Sequence, residues 1–275
     1  MKKPALPTFL YGTAWKEDRT AALTELAVRS GFRAIDTANQ RKHYYEAGVG
    51  EALKKLYDEG VVTREQLFLQ TKFTYQRGQD HRLPYDPKAK LTEQVRQSLD
   101  SSLAHLHSSH VESFVLHGPS SGYGWTEDDS EVWQAMLKQR DAGRTRLVGV
   151  SNVSLRHLQT MEALKLELPR FVQNRCFARL AWDAEIREWC AARDVTYQGF
   201  SLLTANVEVL HHPFVHTLAE RLTATTPQVI FAFARQIGML PLTGTTDKEH
   251  MKQDLASLEL ELSEKEVHAI EVIAL

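Results

Sequence analysis

Four side chains stand where proton chemistry on an oxygen could be arranged. Asp36 closes a short apolar run, Tyr44 follows it, Lys72 follows the run at 67–71, and His117 follows the run at 111–116. An ionised Asp at the end of a buried strand is costly unless a cation meets it, and Lys72 is the candidate cation. Positive charge beside a tyrosine stabilises its phenolate and lowers its pKa, so Tyr44 becomes a proton donor near neutral pH. His117 could hydrogen-bond the same oxygen. No Ser or Cys nucleophile and no metal cluster accompany the set. It suits protonating an oxygen while a cofactor delivers hydride to carbon.

Such a set works only if the fold brings these ends together. Eight short apolar runs begin near residues 9, 33, 67, 111, 147, 171, 195 and 239. Helical patterns separate them: Leu91, Val95, Leu99, Leu103 and Leu106 recur every three or four positions. Thr226-Pro227 starts another helix, and Ser263 with Glu266 is a capping box for the last. Gly31, Gly60, Gly143 and Gly238 each stand between a helix and the next strand, where a positive φ is often required. Eight strand–helix units without a linker predict one (β/α)₈ TIM barrel of class α/β over residues 1–275. An open doubly wound sheet is the alternative, but no Gly-x-Gly-x-x-Gly follows an early strand.

Active sites of such barrels lie at the C-terminal ends of the strands. Two long connections there, 73–90 and 118–129, carry Tyr75, Tyr85, Tyr123 and Trp125, expected as substrate walls. The 275 residues are 43% hydrophobic and 25% charged with net charge −2, which gives no nucleic-acid footprint. No apolar run is long enough for a membrane span, and the first seven residues lack a signal-peptide core. Cys176 and Cys190 read as reduced thiols, and a cytoplasmic location is expected. His212 and His216 have a metal-like spacing without a third ligand, so no metal site is expected. His105, His107 and His110 read as surface residues at a helix end.

Together these blocks resemble the aldo-keto reductases. Asp36-Thr37-Ala38, the Tyr-Glu-x-x-Val-Gly region, Gln70-Thr71-Lys72, His117-Gly118-Pro119 and Gly149-Val150-Ser151-Asn152 are similar to that family's blocks, in order. The resemblance implies NADPH-dependent reduction of aldehydes and ketones, with Tyr44 as general acid, Lys72 and Asp36 tuning it, and His117 orienting the carbonyl. It implies Ser151, Asn152 and Gln173 on the nicotinamide carboxamide and Phe200 stacked on the ring. Ser201 and Leu203 fall near the pyrophosphate, Thr243, Gly244, Thr245 and Thr246 at the adenosine phosphate, and His250 and Asp254 after them. Gly12 and Thr13 mark the first strand end, beside Asp36. Trp15, Tyr44, His117, Tyr123 and Trp125 are the expected substrate contacts.

The chain departs from the family pattern in places. Tyr44 and Tyr45 lie later than the usual tyrosine, where Arg41 stands, so Tyr45 is a second candidate for the acid. Leu242 and His250 replace the Lys and Arg that favour a 2′-phosphate, which leaves NADH as an alternative cofactor. The expected partner is a small carbonyl compound, with the protein a monomer or weak oligomer. Two rival readings remain: a nucleotide-binding regulatory barrel with little turnover, like the family's channel-associated members, and a metal-dependent barrel hydrolase.

Overall fold

The computed structural model describes residues 6–275; residues 1–5, part of the N-terminal stretch read above, lie outside the described residues. The strands are β1 (Leu10–Gly12), β2 (Ala34–Asp36), β3 (Phe68–Phe73), β4 (Val111–Leu116), β5 (Thr145–Ser151), β6 (Phe171–Arg175), β7 (Thr196–Phe200) and β8 (Met239–Thr243). Each pairs in parallel with the next, and β8 returns to β1, closing the barrel. Parallel neighbours need a long crossover. Helices supply it: α1 (Thr20–Ser30), α2 (Glu46–Asp58), α3 (Leu91–His105), α4 (Glu127–Asp141), α5 (Leu155–Ala163) and α6 (Ala184–Ala191). After β7 come α7 (Val207–Leu210), α8 (Pro213–Leu222) and α9 (Thr226–Gln236); after β8 come α10 (Lys248–Ala256) and α11 (Glu264–Glu271). This is the expected (β/α)₈ barrel.

The local signals explain where elements stop. The four glycines between helix and strand have φ of 119°, 68°, 74° and 81° at Gly31, Gly60, Gly143 and Gly238. A side chain would be strained there. Pro227 lies in the first turn of α9, and Ser263 and Glu266 close the capping box of α11. Among the described residues no helix is long and apolar enough to cross a membrane, and no cluster of three or more ligands suits a metal. His212 caps α8 through a bond from Phe214 N at 3.2 Å. His105, expected as a plain surface residue, instead sets Nδ1 3.1 Å from the buried Glu46 carboxylate.

The main core lies between the strands and the helices, with Val95, Leu99 and Leu103 of α3 facing it. Inside the barrel the side chains form layers, because successive residues of a strand point to opposite faces. Leu10, Ala34, Phe68, Phe171 and Leu240 make an apolar floor. Two residues further along come Asp36, Gln70, Gln173 and Gln198, all buried. Gln70 Nε2 donates to Asp36 Oδ1 at 2.7 Å and to Gln198 Oε1 at 2.8 Å. Gln173 Nε2 donates to the same two atoms at 3.1 and 2.9 Å. Buried amides are tolerable only when bonded in this way. The amide layer separates the apolar floor from the open mouth.

Outside the barrel, α2 packs tightly on the end of α3. A Cβ at Gly50 would lie 1.7 Å from the backbone oxygen of His105. Gly50→Ala should therefore lower stability by about 3 kcal/mol, as overpacked backbone contacts do. Urea denaturation checks this, and a midpoint equal to that of the parent would refute it.

Candidate active site

Lys72 is the residue around which the site is built. It projects from β3 at 1% exposure, and Asp36 ends β2 at 2%. Lys72 Nζ donates to Asp36 Oδ1 at 2.7 Å, to Asp36 Oδ2 at 2.6 Å and to the Thr37 backbone oxygen at 2.8 Å. An ammonium has three donors, and all three are used. Asp36 is bonded by Gln70 and Gln173 as well. Burial pulls the Lys72 pKa down, and the Asp36 charge opposes that pull.

Tyr44 stands above this pair, in the turn between β2 and α2. The centre of its ring is 5.1 Å from Lys72 Nζ and 5.8 Å from the centre of the His117 ring, which it meets edge-on. Tyr45, its neighbour, precedes the first residue of α2, lies against the Arg41 guanidinium and points its hydroxyl to Glu51 at 3.4 Å. The expected lowering of the Tyr44 pKa by Lys72 is not found. Burial, and then the Asp36 charge, push the phenol well above its ordinary value. The Lys72 ammonium spends its donors on Asp36 and Thr37 and makes no hydrogen bond to the phenol.

His117 lies just past β4, with Nδ1 2.7 Å from the Thr74 hydroxyl. Burial, with the charges of Lys72 and His43, lowers its pKa to about 3. The imidazole is neutral at ordinary pH.

One cavity of about 650 Å³ opens over these groups. Asp36, Tyr44 and His117 line it beside Trp15 and His43. Trp15 is 67% exposed and stacks on His43 with ring centres 4.0 Å apart. Ser151, Asn152, Gln173, Phe200, Ser201 and Leu203 form another stretch of the wall, and Gly12 with Thr243, Gly244, Thr245 and Thr246 a third. Other expected residues fall elsewhere. Thr13 is buried and bonds the Asp36 backbone oxygen through both N and Oγ1 at 3.0 Å. His250 is exposed on α10, and Asp254 is buried there with its pKa raised by burial to about 6.

The expected aromatic walls are not at the cavity. Trp125 is buried, bonds Ser130 through Nε1 at 3.1 Å and packs against Trp133. Tyr123 is 90% exposed, away from the cavity lining. Tyr75 and Tyr85 turn inward: Tyr75 Oη donates to Asp129 at 2.9 Å and Tyr85 Oη to the Thr74 backbone oxygen at 2.8 Å. Trp125, Tyr75 and Tyr85 pack into the core, whereas Tyr123 faces solvent.

Two cations on the wall escaped the sequence reading. Lys16 is 3% exposed, bonds the Gly244 backbone oxygen at 2.7 Å, and is lowered by burial to about 8. It follows Trp15 directly, which was the available signal. Arg175 sits two residues after Gln173, on the same inward face of β6.

The wall suits a nicotinamide carboxamide. Ser151 Oγ accepts from Asn152 Nδ2 at 3.1 Å, which leaves its own O–H to donate. Gln173 Oε1 and Asn152 Oδ1 accept nothing among the described residues, so two acceptors are also available. Asn152 and Ser201 both hold positive φ, 55° and 57°, at the cavity wall. Such strain tends to persist where function requires a particular backbone.

The Aldo/keto reductase family matches residues 8–207, and the chain belongs to that family. It is thus an NAD(P)H-dependent oxidoreductase acting on carbonyl and alcohol groups. An NAD(P)H-dependent 6′-deoxychalcone synthase of Glycine max is 28% identical over 277 residues, covering 94% of this chain and 82% of the relative. A methylglyoxal reductase of Salmonella typhimurium is 27% identical over 276 residues, covering 96% and 92%. The crystal structure of an aldo-keto reductase (AKR2E5) of the silkworm Bombyx mori complexed with NADPH shares the fold. Its TM-score is 0.83 at 22% identity, over 98% of this chain and 84% of that one.

Removing one partner of a buried pair strands the other's charge. Lys72→Met should lower stability by about 3–5 kcal/mol. Adding Asp36→Asn should restore part of that loss, giving a favourable coupling in a double-mutant cycle by urea denaturation. Strictly additive losses would contradict the pairing.

Proposed function

We propose that this chain reduces aldehydes and ketones to alcohols with NADPH, Tyr44 giving the proton and His117 orienting the carbonyl. The supporting observation is that Tyr44 and His117 share one cavity with Ser151, Asn152, Gln173 and Phe200. In this reading Ser151, Asn152 and Gln173 hold the carboxamide and Phe200 packs against the nicotinamide ring. Ser201, Leu203 and Lys16 serve the diphosphate, and Gly12 lets the backbone approach closely. Thr243, Gly244, Thr245, Thr246 and His250 hold the adenosine phosphate, with Asp254 supporting that segment from within α10. Lys16 supplies a positive charge for the diphosphate, a group that NADPH and NADH share.

Bound NADPH supplies the hydride that reaches the carbonyl carbon. Tyr44 Oη gives its proton to the carbonyl oxygen, so an alcohol forms and a phenolate is left, to be reprotonated from solvent. The raised pKa keeps Tyr44 fully protonated beforehand. Lys72 faces the phenolate as it forms, and its bond to Asp36 holds it there. The neutral imidazole of His117 contributes a hydrogen bond without competing for the proton. Trp15 and His43 form the substrate wall.

Tyr44→Phe should lower kcat with benzaldehyde at least about 100-fold, the scale of a lost general acid. NADPH binding, followed by fluorescence, should persist. Tyr45→Phe should stay within about twofold of the parent. Full activity in Tyr44→Phe would reject the assignment.

The pH dependence follows from two shifts. With the His117 pKa at about 3, its neutral form persists through pH 6.5, so kcat/KM for the aldehyde should show no break there. Lys16 loses its charge as pH rises through about 8, so the NADPH dissociation constant should rise above that pH. Lys16→Met should flatten the rise, as a fluorescence titration from pH 6 to 9.5 would read.

A further inference from the structure

Thr74 follows β3 directly and is 6% exposed. Its surroundings hold it on three sides. The backbone oxygen accepts from Tyr85 Oη at 2.8 Å and from Gln79 Nε2 at 3.4 Å. The methyl group lies so near Gly78 that a Cβ there would come within 2.7 Å of Thr74 Cγ2. The hydroxyl is 2.7 Å from His117 Nδ1 and, among the described residues, has no other partner.

A neutral imidazole carries one N–H, on one nitrogen or the other. Were it on Nδ1, it would donate to Thr74 Oγ1, and the buried hydroxyl hydrogen would have no acceptor. An unmade buried donor is costly. Were the hydroxyl the donor, both groups would be satisfied and the ring hydrogen would sit on Nε2, the nitrogen left for the cavity. The two arrangements are opposite in function: Nε2–H can donate to a carbonyl oxygen, whereas an Nε2 lone pair would repel it.

We infer that Thr74 is a positioning residue whose hydroxyl donates to His117 Nδ1 and fixes the imidazole as its Nε2–H tautomer. This deepens the reductase reading and rests on it for its catalytic meaning. It also gives the long connection after β3 a role. Tyr85, Gln79 and Gly78 brace Thr74, and Thr74 braces the histidine.

The test is NMR of the full chain labelled with ¹⁵N-histidine at pH 7, without cofactor or substrate, with His117 assigned by loss of its signals in His117→Gln. The wild-type ring should show a protonated Nε2 and an unprotonated Nδ1. Thr74→Val, nearly isosteric, should shift population towards Nδ1–H and lower kcat for benzaldehyde about tenfold, the effect of one modest hydrogen bond in the transition state. Thr74→Ser should recover both. A wild-type ring protonated on Nδ1, or a valine variant that keeps the wild-type pattern, would overturn the inference. The wild-type spectrum alone decides the hydroxyl's direction if the valine variant does not fold. Because the tautomer is read without turnover, its failure is distinct from failure of the reductase reading.

Discussion

The structure depends on one buried ion pair. Lys72 and Asp36 lie inside the barrel at the level where the apolar floor ends. An ion pair in that position is stable only if every donor and acceptor is used. Lys72 meets the condition with three bonds, and Gln70 and Gln173 complete the carboxylate. Four strands are tied together by this network: β2, β3, β6 and β7 each contribute a side chain. The charged pair is thus held at fixed height under the cavity.

That arrangement sets the electrostatics above it. A compensated pair exerts a weaker field than a lone ammonium, and the burial of Tyr44 then dominates its pKa. The phenol keeps its proton, and the histidine beside it stays neutral. The site differs from the expectation of a lowered phenol pKa because burial disfavours the phenolate, and the Asp36 charge that stabilises Lys72 adds to that effect.

The barrel was legible because its signals are local and repeated. Short apolar runs, helical periodicity and a glycine at helix ends recur along the chain, and each acts without reference to distant residues. The pairing of Asp36 with Lys72 was legible for a physical reason, since a buried carboxylate demands a cation. The interior amides were less visible. Gln70 stood out only as part of a block, Gln173 only as a cofactor contact and Gln198 not at all, until closure of the barrel brings them to one layer. Loop aromatics misled in the opposite direction: composition cannot say whether Tyr85 or Trp125 faces a cavity or packs into the core. Tyr44 and Tyr45 differ by one position, and only the start of α2 at Glu46 separates their directions. Lys16, Arg175 and Thr74 each lie one or two residues from a block that was noticed, yet their roles depend on neighbours from other strands and loops.

The central claim is that a carbonyl oxygen is held jointly by Tyr44 and His117, beside a nicotinamide bound along Ser151, Asn152 and Gln173. The most direct measurement is a crystal structure with NADP⁺ and an unreactive amide analogue of an aldehyde. The account predicts the analogue's oxygen within hydrogen-bonding distance of both Tyr44 Oη and His117 Nε2. An oxygen bound at Tyr45, or a nicotinamide lying away from those three side chains, would contradict it.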